Sequence, residues 1–301
     1  MFAIIGILVV FGAVVGGYLM EKGNLVVLLQ PAELLIIGGA ASGTLLIANP
    51  PRVLTAILKG IAGAFSGSRY NKQWHLNSLK LLYDFFDQAR RAGLASLEAE
   101  IEEPSKSKTL SSQPAIAKDH HISAFICDTF RTTMIGGMEP FDVDQMLESD
   151  IEVLHHEGVE EVAALTTVAD SLPGLGIVAA VLGVVITMGA LGGKPEEIGH
   201  KVAAALVGTF LGILLCYGLV GPIAANMTKA AEEEHAFLYV MRVLMVSFLK
   251  GTAPIMAVEV ARRAVPGHVR PSFKELEQAC RNRAQDTTPA PEAAAGAAAS
   301  S

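Results

Sequence analysis

The chain has 301 residues, 51% of them hydrophobic and only 6% aromatic, with a formal net charge of −7. This balance excludes a nucleic-acid binder, which needs a basic face, and it points to a membrane protein rather than a large soluble enzyme. Three scattered cysteines, Cys127, Cys216 and Cys280, offer neither metal-ligand spacing nor a disulfide framework, as expected of reduced thiols facing a cytosol.

Residues 1–20, MFAIIGILVVFGAVVGGYLM, are apolar throughout, and the first lysine is Lys22. A secretory signal needs a basic start and a shorter apolar run, so this stretch predicts a transmembrane helix, with Gly12 and Gly16 as a GxxxG pair. Residues 33–49 predict a second, shorter span in which Gly39 and Gly43 repeat the motif; Pro50 and Pro51 end it. Together residues 1–50 form the first transmembrane pair.

Residues 51–169 are mixed polar and apolar and predict a helical domain. Gln73 to Ala92 places Trp74, Leu81, Leu82, Phe85 and Phe86 at helical spacing. Gly93 interrupts the pattern, and a second helical piece runs to Glu103. Around that break lie Arg90, Arg91, Glu98, Glu100, Glu102 and Glu103, which on composition alone read as a solvated face. The Ser-, Lys- and Pro-rich stretch 105–118 predicts a mobile loop. Helices follow over Asp119 to Met134 and Asp142 to Val168, each opening on an aspartate suited to capping. The pairs His120-His121 and His155-His156 point to different helix faces and lack metal-site company, so they read as surface or core histidines.

Residues 170–227 hold two apolar runs, Leu172 to Leu191 and Val202 to Ile223, flanking a polar turn. Each is about 20 residues, hence about 30 Å as a helix, and neither contains Asp, Glu, Lys or Arg. This is a transmembrane hairpin. Small residues recur along it at helical spacing: Gly176, Ala180 and Val184, with Gly183 nearby, on one helix, and Ala204, Gly208 and Gly212 on the other. Such spacing lets helix backbones approach closely. Pro173 and Pro222, counted from the turn near Pro195, are expected at similar depth, where by spacing alone each marks a helix end. Thr187 and Thr209 are the deepest hydroxyls, and by residue type each is expected to bond back to its own helix.

Residues 228–285 predict a further helical segment, long over Lys229 to Ala264 with Pro254 inside or breaking it, then a short helix capped by Ser272 and Glu275. The stretch 286–301 is low-complexity and predicts disorder. Eleven Lys and Arg fall in 52–168 and nine in 229–301, so both termini and both polar segments are expected in the cytoplasm. The fold class is therefore all-α, a polytopic membrane protein with four transmembrane helices and a helical cytoplasmic domain. No nucleotide loop, nucleophile elbow or paired catalytic carboxylate emerges, so neither enzymatic activity nor a cofactor or metal is expected. Glu33, Asp170 and His200 all fall at span ends, which leaves no titratable carrier at depth in the spans and points to another chain for it.

Four blocks, ARRAGLASLEAEIEEP (89–104), DHHISAFICDTFR (119–131), TVADSLPGLGIVAAVLGVVITMG (167–189) and KVAAALVGTFLGILLCYGLVGP (201–222), resemble the flagellar motor stator proteins of the MotA/TolQ/ExbB family. The resemblance extends from residue 1 to about 285. It implies an inner-membrane stator subunit, five copies of which surround two copies of a single-span partner, MotB, along a proton path. It also implies that Arg90 and Glu98 engage the rotor protein FliG, that Pro173 and Pro222 couple ion passage to motion, and that Thr209 lines the channel. Sodium-driven relatives carry threonine at the position of Ala180 and a Thr-Thr pair where this chain has Gly208-Thr209, so the resemblance implies proton coupling. An ExbB- or TolQ-like energiser of outer-membrane processes would share the hairpin; the 89–104 block and the long polar middle favour the flagellar branch.

Overall fold

The computed structural model describes residues 2–189, 192 and 194–286, and every regular element among them is helical. The predicted 286–301 tail lies, apart from Asp286, outside the described residues. Four helices are long and apolar enough to cross a membrane. α1 (Phe2–Met20) and α3 (Pro31–Ala48) match the first two predicted spans, with the single-turn α2 (Leu25–Leu28) between them and α4 (Pro51–Ser66) directly after. Proline stands at the start of both α3 and α4, where its missing N–H costs nothing.

By internal contacts the chain divides into two compact units. One comprises Met1–Arg69 and Glu152–His235; the other comprises Tyr70–Ile151 and the chain from Ala236 onward.

The first unit holds all four spans. The third predicted span is the C-terminal third of a single 49-residue helix, α10 (Pro140–Met188), which continues through Pro173. The fourth is α11 (Pro195–Leu215), which passes through a π-helical turn over Cys216–Val220 into α12 (Gly221–Leu249). Two apolar clusters hold this unit together. Val53 and Ile57 of α4 pack with Ala164 and Leu165 of α10 and with Ala224 and Met227 of α12. Ile37 and Ala41 of α3 pack with Leu172, Ala179 and Cys216. The outward faces stay apolar, with Ile177, Val181, Val184, Val185 and Leu206 all exposed, which suits a surface whose solvent is lipid.

The second unit is built on α5 (Lys72–Ala92), whose Leu79, Leu81, Leu82, Phe85 and Phe86 are fully buried. Phe86 stacks on Phe248 with ring centroids 4.0 Å apart. Phe130 of α9 (His120–Gly136) meets both Phe85 and Phe86. Asp119 caps α9 by accepting from the Ile122 N–H, as its position predicts. Pro254 opens α13 (Pro254–Ala264) after a break at Gly251, and Ser272 and Glu275 bond reciprocally at the start of α14 (Phe273–Asp286).

The stretch 105–118 is not the open loop its composition predicts. After a 3₁₀ turn (Leu94–Leu97) and α6 (Glu98–Glu102), the chain folds into a second 3₁₀ turn (Pro104–Lys106) and two single-turn helices, α7 (Lys108–Ser111) and α8 (Pro114–Ala117). Leu110 and Ile116 are buried. The Glu100 carboxylate accepts from the Ser107 hydroxyl at 2.7 Å and the Thr109 N–H at 3.0 Å, tying this stretch to α6. Burial pushes the Glu100 carboxyl up, but the bonds from Ser107 and Thr109 outweigh it and hold the group below its ordinary value.

Candidate ion path and charge patch

The hairpin between α10 and α11 is closed by backbone atoms rather than side chains. A Cβ placed on Gly212 would lie 2.5 Å from the Leu172 carbonyl oxygen and 3.0 Å from the Gly176 Cα. One placed on Gly176 would lie 2.8 Å from the Gly208 carbonyl oxygen, and one on Gly183 would meet Ala205 at 2.7 Å. No side chain fits at these positions without separating the helices. The seam is thus Gly176, Ala179 and Gly183 against Ala205, Gly208 and Gly212. It stands one residue away from the predicted stripe at Ala180, Val184 and Ala204: Ala179 is buried and Val184 is exposed. A helix of 3.6 residues per turn drifts off a strict four-residue repeat, so the contact passes from Gly176 to Ala179 and then Gly183.

Neither proline ends a helix. Pro173 lies inside α10, and Pro222 falls in the first turn of α12, directly after the π-helical turn. That turn closes with the Gly221 N–H donating to the Cys216 carbonyl, the wider ring that lets the helix continue past a residue without an N–H. The expected common depth does not hold. By the register that sets Gly183 against Ala205, Pro173 stands level with Leu215, and Pro222 lies about seven residues, roughly 10 Å, further along. Even counted from Pro195 the two stand 22 and 27 residues away, and the register centre at Lys194 widens the difference from five residues to seven.

The two threonines differ. Thr187 is buried and donates to the Gly183 carbonyl at 2.8 Å, so its hydroxyl is committed to its own helix. Thr209 is half-buried beside Gly176 and, among the described residues, makes no hydrogen bond back to α11. Ala180 is half-buried with its backbone nitrogen against Gly208.

Glu33 was placed by sequence at a span end, and it does lie in the first turn of α3. Its side chain, however, is only 7% exposed. Its Oε2 lies 2.6 Å from where a Cβ on Gly208 would stand. The carboxyl therefore rests on the glycine seam. A signal was present: Glu33, Ile37 and Ala41 form one i, i+4, i+8 stripe, and the two apolar members belong to the core.

In the second unit, Arg90 closes α5 and Glu98 opens α6, separated by Gly93 at φ 82°, a left-handed backbone that favours glycine. Their neighbours are paired: Arg91 with Asp87, Lys106 with Glu103, and Arg131 with both Glu102 and Asp128. Arg90 and Glu98 are exposed, and among the described residues neither has an ion-pair partner. The remaining histidine candidates separate as well: His155 faces His235 with ring centroids 4.6 Å apart, and no group of three or more metal-ligating side chains forms among the described residues.

Four apolar spans, a hairpin closed on glycine and a separate polar helical unit define a multi-pass membrane protein. Residues 4–93 match the N-terminal domain of Motility protein A, and residues 117–238 match the MotA/TolQ/ExbB proton channel family. Motility protein A of Escherichia coli K12 is 41% identical over 293 residues, 96% of this chain and 99% of that protein. Motility protein A of Salmonella typhimurium LT2 is 40% identical with the same coverage. The solved structure of C. jejuni MotAB covers 90% of this chain and 98% of its own at a TM-score of 0.73; at 19% identity this likeness concerns the fold. The chain belongs to the motility protein A branch of the MotA/TolQ/ExbB proton channel family, and it is accordingly a multi-pass protein of the inner membrane.

Proposed function

We propose that the chain is a stator subunit of a bacterial flagellar motor, turning proton flow across the inner membrane into torque on the rotor. Family membership supports this reading over almost the whole chain, and the match of residues 4–93 to the motility-specific N-terminal domain favours it over an ExbB- or TolQ-like role. In this reading five copies surround two copies of MotB, whose single span supplies the acidic proton carrier. The polar unit and both termini face the cytoplasm, and Pro173, Pro222, Thr209, Thr187 and Ala180 lie along the path that couples proton passage to movement. Proton rather than sodium coupling fits Ala180 and Gly208, which contribute no side-chain oxygen where a sodium ion needs several.

The observation that carries the torque reading is the pair left free in a paired neighbourhood. Exposed ion pairs contribute about 0–1 kcal/mol, so Arg90 and Glu98 have little to do for folding. Unpaired charges of opposite sign on a rigid turn suit steering and register against a charged partner, here FliG. The test is complementation of a strain lacking its own subunit. The chain restores swimming at a speed indifferent to external sodium, and Arg90→Glu stops it while leaving membrane assembly with MotB intact. A matching charge reversal on FliG restores it. Normal swimming with both Arg90 and Glu98 reversed refutes the contact.

A further inference from the structure

The buried Glu33 carboxyl has no structural explanation within the chain. A glutamate in the first turn of a helix ordinarily serves the exposed N–H groups there, but Glu33 Oε2 has no hydrogen-bond partner among the described residues. Nor is it an ion-pair member among the described residues. Around the place at Gly208 of α11 that the carboxyl occupies stand the Ala179 Cβ and the Ala180 backbone nitrogen of α10, and neither can titrate. On those elements the nearest charged residues are Lys201, seven positions from Gly208 and so roughly 10 Å along α11, and Asp170, about 13 Å from Ala179 along α10. α2, which packs on α11 beside it, is Leu25–Leu28 and carries no charge; Glu21 and Lys22 precede it at the surface.

An ionisable side chain turned into the interior of a membrane bundle costs enough that it marks an ion or proton pathway by default. Here the site is built for it. Gly208 leaves an empty place in the middle of α11, the carboxyl fills that place, and Ala179 and Ala180 wall it. We propose that Glu33 is a protonation site of this chain, distinct from the partner's carrier. It takes a proton from water to form the carboxylic O–H at the seam and gives it up to a base on the path, water or the partner's carboxylate, which regenerates the Glu33 carboxylate. The role in the path rests on the proton-driven reading above. It is a loading role rather than the indispensable carrier, so its value is greatest where protons are scarce.

The test uses the complex with MotB in the membrane. Infrared difference spectra between acid and alkaline external pH show a protonated carboxyl C=O band in wild type that Glu33→Gln removes and Glu33→Asp retains at a shifted position. Proton flux in Glu33→Gln matches wild type at acid external pH and falls severalfold at alkaline external pH, and Glu33→Asp restores part of it. An unchanged band, or a flux profile identical to wild type at every pH, overturns the proposal. Should Glu33→Gln not assemble, Gly208→Ala keeps the carboxyl but takes its place, and it must shift the band; an unshifted band overturns the proposal equally. A wild-type complex whose Glu33 band titrates but which moves no protons would refute the proton-driven reading and leave the site standing.

Discussion

In the membrane unit, helices α10 and α11 touch through Gly176, Gly183 and Gly212, where carbonyl oxygens and Cα atoms stand in the positions side chains would take. In the polar unit, the space between helices is filled by Phe85, Phe86, Phe130 and Phe248 and rimmed by ion pairs such as Arg242 with Asp144 and Arg262 with Glu259. Water explains the difference. Beside water, burying aromatic surface stabilises a fold; in lipid, where the surroundings are as apolar as the core, close backbone approach takes over that task. The membrane unit should therefore be intolerant of an added atom at Gly176, Gly183 or Gly212, and the polar unit should be sensitive to pH.

The largest expected effect comes from Gly212→Val. The first added carbon alone falls 2.5 Å from the Leu172 carbonyl oxygen, and backbone cannot step aside as a flexible side chain does. Overpacking typically costs about 1–3 kcal/mol, and a collision with the backbone of α10 at both Leu172 and Gly176 lies at the top of that range. The variant should lose the hairpin, melt well below wild type in detergent and fail to support swimming. Wild-type melting for Gly212→Val would show that the seam is not what holds the hairpin.

How much of this was legible beforehand follows from the same physics. The spans were, because about 20 uncharged apolar residues have few other destinations. The helix over Gln73–Ala92, the Asp119 cap and the Ser272–Glu275 box were, because each is a local pattern. The fold of residues 105–118 was not, since its order depends on Glu100, several positions upstream, receiving Ser107 and Thr109. The π-helical turn was hidden within an apolar run, although Gly221-Pro222 is the pair that needs it. The depth of Pro222 and the seating of Glu33 beside Gly208 depend on the register between helices, and helix periodicity does not fix a register.

A smaller effect is expected in the polar unit, from His75. The ring is 2% exposed, tilted at 56° to Phe237 with ring centroids 5.5 Å apart, and its Nδ1 has no partner among the described residues. Burial, with a further contribution from His268, pushes its pKa down from 6.5 to about 4. The unfolded chain therefore binds a proton more readily than the folded one between those values. Stability is unaffected above pH 6.5 and declines as pH falls from 6.5 towards 4. At 1.36 kcal/mol per unit the decline over that window is roughly 2–3 kcal/mol. Melting temperatures of the detergent-solubilised protein should fall with acidification in wild type and less steeply in His75→Gln. Asp150 and Glu161, raised by burial, titrate alike in both proteins, so the difference between the two slopes belongs to His75. Parallel slopes would show that the ring is not held neutral.

The smallest effect is expected at the other glycine stripes, and it bears most closely on the contrast between backbone and side-chain packing. Gly12 and Gly16 on α1 and Gly39 and Gly43 on α3 have the same four-residue spacing as Gly208 and Gly212, yet a Cβ at any of them meets nothing within 4 Å. No residue of α1 is buried. Within a single chain, Gly12→Ala should therefore leave stability unchanged or raise it by up to about 1 kcal/mol, the helix-propensity gain of alanine over glycine. In the proposed assembly these stripes face other helices, where an added methyl would hold two backbones apart. Melting of the isolated chain and recovery of the complex with MotB should then separate: the first is unaffected by Gly12→Ala or Gly39→Ala, and the second is weakened. A fall in the melting temperature of the isolated chain would mean that the stripe packs within one subunit. Unweakened recovery with MotB would mean that it faces lipid alone.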